Sequence, residues 1–176
     1  MTRHNVIQRL ARTQLCLIDI HESLRFAEYM LQRGRSESET ADDETIRLAF
    51  ETAMIVSYAR PFSANHVAVQ GGLPSLPNPE KAMASYSDEQ AGLHKYVLEL
   101  WNKGYAHSDG DIHGLEIELD KRSIGYYKNW VHSPLGLNRI ELLRQMCLIL
   151  LEYMELETRT LESILVTQDL SGGTTA

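Results

Sequence analysis

The sequence predicts an all-α protein, a bundle of four helices. Three observations predict it. Apolar residues recur at helical spacing over four long stretches. Helix-starting and helix-stopping residues bracket those stretches. Strand-like alternation is confined to one short run, Leu115-Glu-Ile-Glu-Leu119, and the segment after it.

The first helix is expected over about residues 3–33. Leu10, Leu17, Leu24 and Leu31 fall seven apart, with Thr13, Ile20 and Ala27 between them. That stripe suits a helix packed in its own bundle, or a dimer seam. Gly34 is the expected stop, and the polar segment 35–40 an exposed linker. Thr40 with Asp43 makes a capping start for a second helix, Ile46 to about Arg60. Its stripe is read as Ile46, Ala49, Phe50, Ala53, Val56 and Ser57, and Pro61 closes it. Glu51 falls beside that stripe and reads as a surface carboxylate.

A long connection, Phe62 to Tyr86, carries Gly71, Gly72, Pro74, Pro77 and Pro79. Ser87 with Gln90 then forms a capping box. The third helix places Leu93, Tyr96, Val97, Leu100, Trp101 and Gly104 on one face. If it persists, His107 lies on the same side. A short β-hairpin or irregular insertion follows, with strands near 115–119 and 124–130. Asn138 with Glu141 reads as the cap of a last helix, from about Asn138 to Val166. Ile140, Cys147, Met154 and Leu161 repeat every seven residues, with Leu143 and Leu150 between.

The 176 residues are expected to form one domain over 1–168, with a disordered tail at 169–176. Hydrophobic content of 43% without a long apolar run argues against a membrane span. The N-terminus lacks the apolar block of a secretory signal, so a cytoplasmic location is expected. The net charge of −7 argues against duplex DNA as a partner but not against one local phosphate pocket. Cys16 and Cys147 lie inside apolar patterns and read as buried thiols. Among the histidines, His4, His21, His66, His94 and His132 have no spacing that points to a site.

The chemistry-bearing stretch is Trp101-Asn102-Lys103-Gly104-Tyr105-Ala106-His107-Ser108-Asp109. It resembles the signature of HEPN-type helical bundles, read as Arg-Asn-Lys-x-x-Ala-His. Asn102, Lys103, Ala106 and His107 match, and Trp101 stands where the family has Arg. The resemblance implies a metal-independent ribonuclease or RNA-processing protein of a defence or toxin–antitoxin system, working as a homodimer without a cofactor. An antitoxin or other protein partner is then expected. His107 would be the acid–base group and Asn102 would orient it or the phosphate. Arg60, in Tyr58-Ala-Arg-Pro-Phe62, or Lys103 would supply the missing cation. That requires the end of the second helix to share one end of the bundle with His107. Asp109, Trp101, Tyr105 and Tyr58 are the accompanying candidate binding residues.

Two other readings stand beside this one. The Trp101 departure favours a catalytically degenerate bundle that binds RNA, a nucleotide or another protein. The heptad stripes suit a dimerisation module. Alternation in His107-Ser-Asp109-Gly-Asp111-Ile-His113 also has the donors of a metal site, against the plain reading of a solvated loop.

Overall fold

Helix α1 runs Arg3–Arg33 and is bounded by local chemistry at both ends. The Thr2 hydroxyl accepts the Asn5 N–H, and Gly34 closes the helix at φ 65°, a conformation glycine adopts without a Cβ penalty. A computed structural model describes residues 1–34, 41–63, 76–105, 115–120, 123–128 and 135–172 of the chain. Five helices account for most of them: α1, α2 (Ala41–Ala59), α3 (Pro79–Ala82), α4 (Asp88–Glu99) and α5 (Leu137–Gly172).

The longest helices, α1 and α5, pack antiparallel. Arg9 pairs with Glu157, and Ser23 accepts from the Cys147 thiol at 3.6 Å, so numbers rise on one helix as they fall on the other. Helix α2 reverses against α1, through Arg33 with Asp43, Ser23 donating to the Met54 carbonyl at 3.0 Å, and Arg60 with Asp19. Helix α4 opposes α5 in turn. The Tyr86 hydroxyl just before α4 reaches the Met146 carbonyl, and Arg139 sits over the Tyr96 ring at 5.0 Å. Directions therefore alternate along the chain. Residues 115–120 and 123–128 form an antiparallel pair, β1 and β2, with Ile117 opposite Tyr126. No described helix is long and apolar enough to cross a membrane.

The α5 stripe is buried as its spacing predicts: Ile140, Leu143, Cys147, Leu150, Met154 and Leu161 are all at most 2% exposed. Against it α1 presents a small-residue face, Thr13, Cys16, Ile20, Ser23 and Ala27. Leu10, Leu17 and Leu31 of the heptad lie at the edges of that face, half-buried. Both cysteines are buried thiols, raised to about 11 for Cys16 and about 12 for Cys147, chiefly by burial.

Several expectations are corrected. Helix α2 begins at Ala41 and buries Glu51, Met54, Ile55, Ser57, Tyr58 and Ala59. Ile46 and Ala49 face solvent, and Phe50, Ala53 and Val56 are half-buried, so the helix is rotated from the expected face. Glu51 is fully buried rather than on the surface. Its Oε1 accepts the Leu135 N–H at 2.8 Å, and Arg47 lies 3.6 Å from Oε2. The carboxylate thus ties α2 to the residues that enter α5.

The α-helix does end before Pro61, at Ala59, and Arg60–Phe62 then tighten into one 3-10 turn. The connection that follows includes helix α3, and its residues 64–75 lie outside the described set. The Ser87–Gln90 capping box forms in full. Helix α4 does not continue as an α-helix to Gly104, because Leu100–Tyr105 widen into a π-helical turn. Glu141 is not a cap; it holds Arg144 and Gln145, and Gly136 supplies the carbonyl that starts α5. That helix reaches Gly172, so residues 169–172 of the expected tail are helical. Thr40 lies outside the described residues, and Asp43 bonds Arg33.

Burial predicts a sharp contrast between two leucines on α5. Leu150→Ala, at a fully buried position, is expected to cost about 2–5 kcal/mol in urea unfolding. Leu148→Ala, 43% exposed, should stay within about 0.5 kcal/mol of the parent.

Candidate functional site

Two polar constellations occur among the described residues, one at the end of α2 beside α4 and one at the π-helical turn that follows α4. The first surrounds the end of α2. Tyr58 is fully buried, and its hydroxyl bonds Nδ1 of His94 at 2.9 Å and the Tyr86 hydroxyl at 3.3 Å. Phe62 meets the His94 ring edge-on at 4.6 Å. Burial raises the pKa of both tyrosines well above the usual phenol range. Burial and the nearby Lys95 charge lower His94 to about 4, so its ring is neutral at pH 7. A neutral, enclosed ring bonded to the Tyr58 phenol, which in turn bonds Tyr86, fixes the α2–α4 contact and exposes no acid or base.

Arg60 lies in the same turn, between Tyr58 and Phe62, but points outward and is 51% exposed. Its Nη1 donates to Oδ1 of Asp19 on α1 at 3.3 Å. Asp19 is itself largely covered, and that burial raises its pKa although Arg60 pulls it down. Beside it on α1, Arg12 is only 6% exposed. Its Nε and Nη2 are buried without a hydrogen-bond partner.

The second constellation begins at the π-helical turn. Trp101 is half-buried and packs against the hydrophobic core. Asn102 is exposed beside it. The backbone of Lys103 and Tyr105 belongs to the π-helical turn, while His107, Asp109, Asp111 and His113 lie outside the described residues. No group of His, Cys, Asp and Glu able to hold a metal occurs among the described residues.

The end of α2 sits beside Tyr86 and His94, at the start and middle of α4. Tyr58 and Arg60 are thus brought together within one turn, and the π-helical turn also packs against α2. His107, which the signature would pair with Arg60, lies outside the described residues.

Sequence reasoning passed over His94 and Arg12. His94 carries no spacing signal because its partners come from α2 and the residue before the capping box. Arg12 had one: Arg12, Cys16, Ser23, Ala27 and Met30 share a face, visible once the small residues rather than the leucines are taken as the contact. A cavity between α1, α2 and α5, lined by Tyr29, Arg33, Asp43, Arg47 and Phe50, holds about 30 Å³. That is room for little more than water.

The His94 shift fixes a sign. A pKa depressed from 6.5 to about 4 means the unfolded chain takes up the proton first. Its contribution to stability is complete above pH 6.5 and is lost as pH falls toward 4. Melting temperatures recorded across that window should fall more steeply for the parent than for His94→Asn. Equal slopes would show that His94 is not held neutral.

No family model, curated protein or solved structure matches the chain.

Proposed function

We propose that the chain is a HEPN-like helical bundle that binds single-stranded RNA without metal-independent cleavage. The observation that carries this reading is Trp101. At the position where the resembling signature has a guanidinium, the chain has an indole packed against the core. An indole stabilises no charge developing on phosphate, and losing such a group commonly costs about 10²–10³ in rate. The cation expected to compensate, Arg60, is engaged by Asp19 of α1. What remains suits recognition. A partly exposed indole beside the exposed Asn102 amide offers one stacking face and one hydrogen-bonding edge for an unpaired base. The π-helical turn that carries both belongs to a class of local distortion frequent at binding sites.

The experiment uses a fluorescent single-stranded RNA in EDTA. Anisotropy should rise on adding protein while the RNA stays intact, and Asn102→Ala, which removes the hydrogen-bonding amide, should weaken binding by roughly 0.5–1.5 kcal/mol. Cleavage in EDTA that disappears in His107→Ala would make the protein a ribonuclease and overturn this reading.

A second copy of the chain is the protein partner the described surface favours. Ile7, Leu15 and Ile18 are 47%, 45% and 57% exposed on the face of α1 turned from the core, with exposed Ala11 between them. Eleven residues make three turns, so Ile7 and Ile18 fall in line. The stripe is self-complementary: antiparallel pairing sets Ile7 of one copy opposite Ile18 of the other and Arg3 opposite Glu22. Light scattering on a sizing column should give a dimer for the parent and a monomer for Ile18→Glu, with the helical circular dichroism unchanged. A parent monomer at high concentration removes this interface.

A further inference from the structure

The side chain that the fold leaves least explained is Arg12. It sits on the inner face of α1 and is 94% buried, since only 6% remains exposed. Nε and Nη2 of its guanidinium are enclosed and donate to nothing. Arginine keeps its charge at any physiological pH, so burial cannot be relieved by losing a proton. A buried cation is ordinarily held by a paired anion and by hydrogen bonds to its remaining donors.

The nearest anion is committed elsewhere. Arg12 acts electrostatically on Cys16 and Asp19, one and two turns further along α1. Asp19, however, takes its hydrogen bond from Arg60 at 3.3 Å. The Cys16 thiol is raised to about 11 and stays protonated. The next carboxylate on this side of α5, Glu157, pairs with Arg9. Around Asp19, among the described residues, stand the guanidinium groups of Arg12 and Arg60 and a second carboxylate, Glu22, which accepts from the Ser57 hydroxyl at 3.3 Å. One cation, Arg12, is enclosed with donors unused. The other, Arg60, is half-exposed and opens the cluster to solvent.

We propose that Arg12 and Arg60 form an anion-binding site for a phosphate group, with Asp19 as the carboxylate that holds Arg60 in place until the ligand arrives. The planar fork of arginine matches phosphate oxygens with paired N–H donors, and an enclosed guanidinium with unused donors calls for an anion. A phosphate entering past Arg60 would take the unused Nε–H and Nη2–H of Arg12. Arg60 would then be shared between Asp19 and the ligand. The groups that would receive a phosphate are those of Arg12 and Arg60; the source is a nucleotide or inorganic phosphate. The site lies on α1 and at the end of α2, and goes beyond the RNA-binding reading.

The full-length chain is titrated calorimetrically with sodium phosphate and with adenosine 5′-monophosphate. Sodium chloride at matched ionic strength is the control. Saturable binding of phosphate or the nucleotide is expected, with none of chloride. Tighter binding of the nucleotide assigns that source; equal affinity assigns free phosphate. Arg12→Met and Arg60→Gln should each weaken binding at least about tenfold. Without ligand, Arg12→Met should melt no lower than the parent, because it removes an unpaired buried charge and keeps the side chain's bulk.

Three results overturn the site. One is no saturable binding, another is binding that survives Arg60→Gln, and the third is an Arg12→Met protein that melts lower yet binds phosphate unchanged. RNA binding that persists in both variants leaves the function above standing while removing this site. Phosphate binding without RNA binding does the reverse.

Discussion

The contact on which the rest of the structure depends is the antiparallel packing of α1 on α5. It joins a small face to a large one. Thr13, Cys16, Ser23 and Ala27 on α1 let Leu143, Leu150 and Met154 of α5 come close, and all of these are fully buried. Close approach of two long helices buries a continuous apolar strip, the dominant favourable term in folding. Ser23 sits where three helices meet. It donates to the Met54 carbonyl of α2 and accepts from the Cys147 thiol of α5. The rotation of α2 follows from this. Once Met54 faces Ser23, Glu51 and Tyr58 must also point inward, since they lie one turn to either side of it.

Turning polar groups inward demands partners for them, and the fold supplies most. Glu51 receives the Leu135 N–H and stands beside Arg47. Tyr58, His94 and Tyr86 satisfy one another in a chain that crosses from α2 to α4. Such contacts specify a register that apolar packing alone leaves degenerate, because each donor has one acceptor at the right height. Arg12 has no such tie. It occupies the same small-residue face as Cys16, and two of its enclosed donors are used by nothing.

The two proposed sites lie in two places. One is the π-helical turn after α4, which carries the half-buried Trp101 and the exposed Asn102. The other is the junction of α1 with the end of α2, where the enclosed Arg12 keeps unused donors and Arg60 is half-exposed.

The sequence by itself determined what local chemistry governs. The Ser87–Gln90 capping box, the Gly34 stop and the α5 stripe from Ile140 to Leu161 were all legible. Each depends on residues within a turn or two, or on a strong apolar period. The helical class followed from them, and so did the place of Trp101 at the end of the third long helix. Only the tertiary structure decided which face of α1 and α2 is inside. Leucines at heptad spacing compete with small residues for the same role on α1. Ile46 and Phe50 similarly compete with Met54 and Tyr58 on α2. Periodicity reports that a helix has a preferred face, but the neighbouring helices choose it, through how closely they can approach. His94 as a buried acceptor, Glu51 as an anchor for Leu135 and Arg12 as an enclosed cation all follow from that choice. Their partners lie on other helices, tens of residues away, where no local pattern records them.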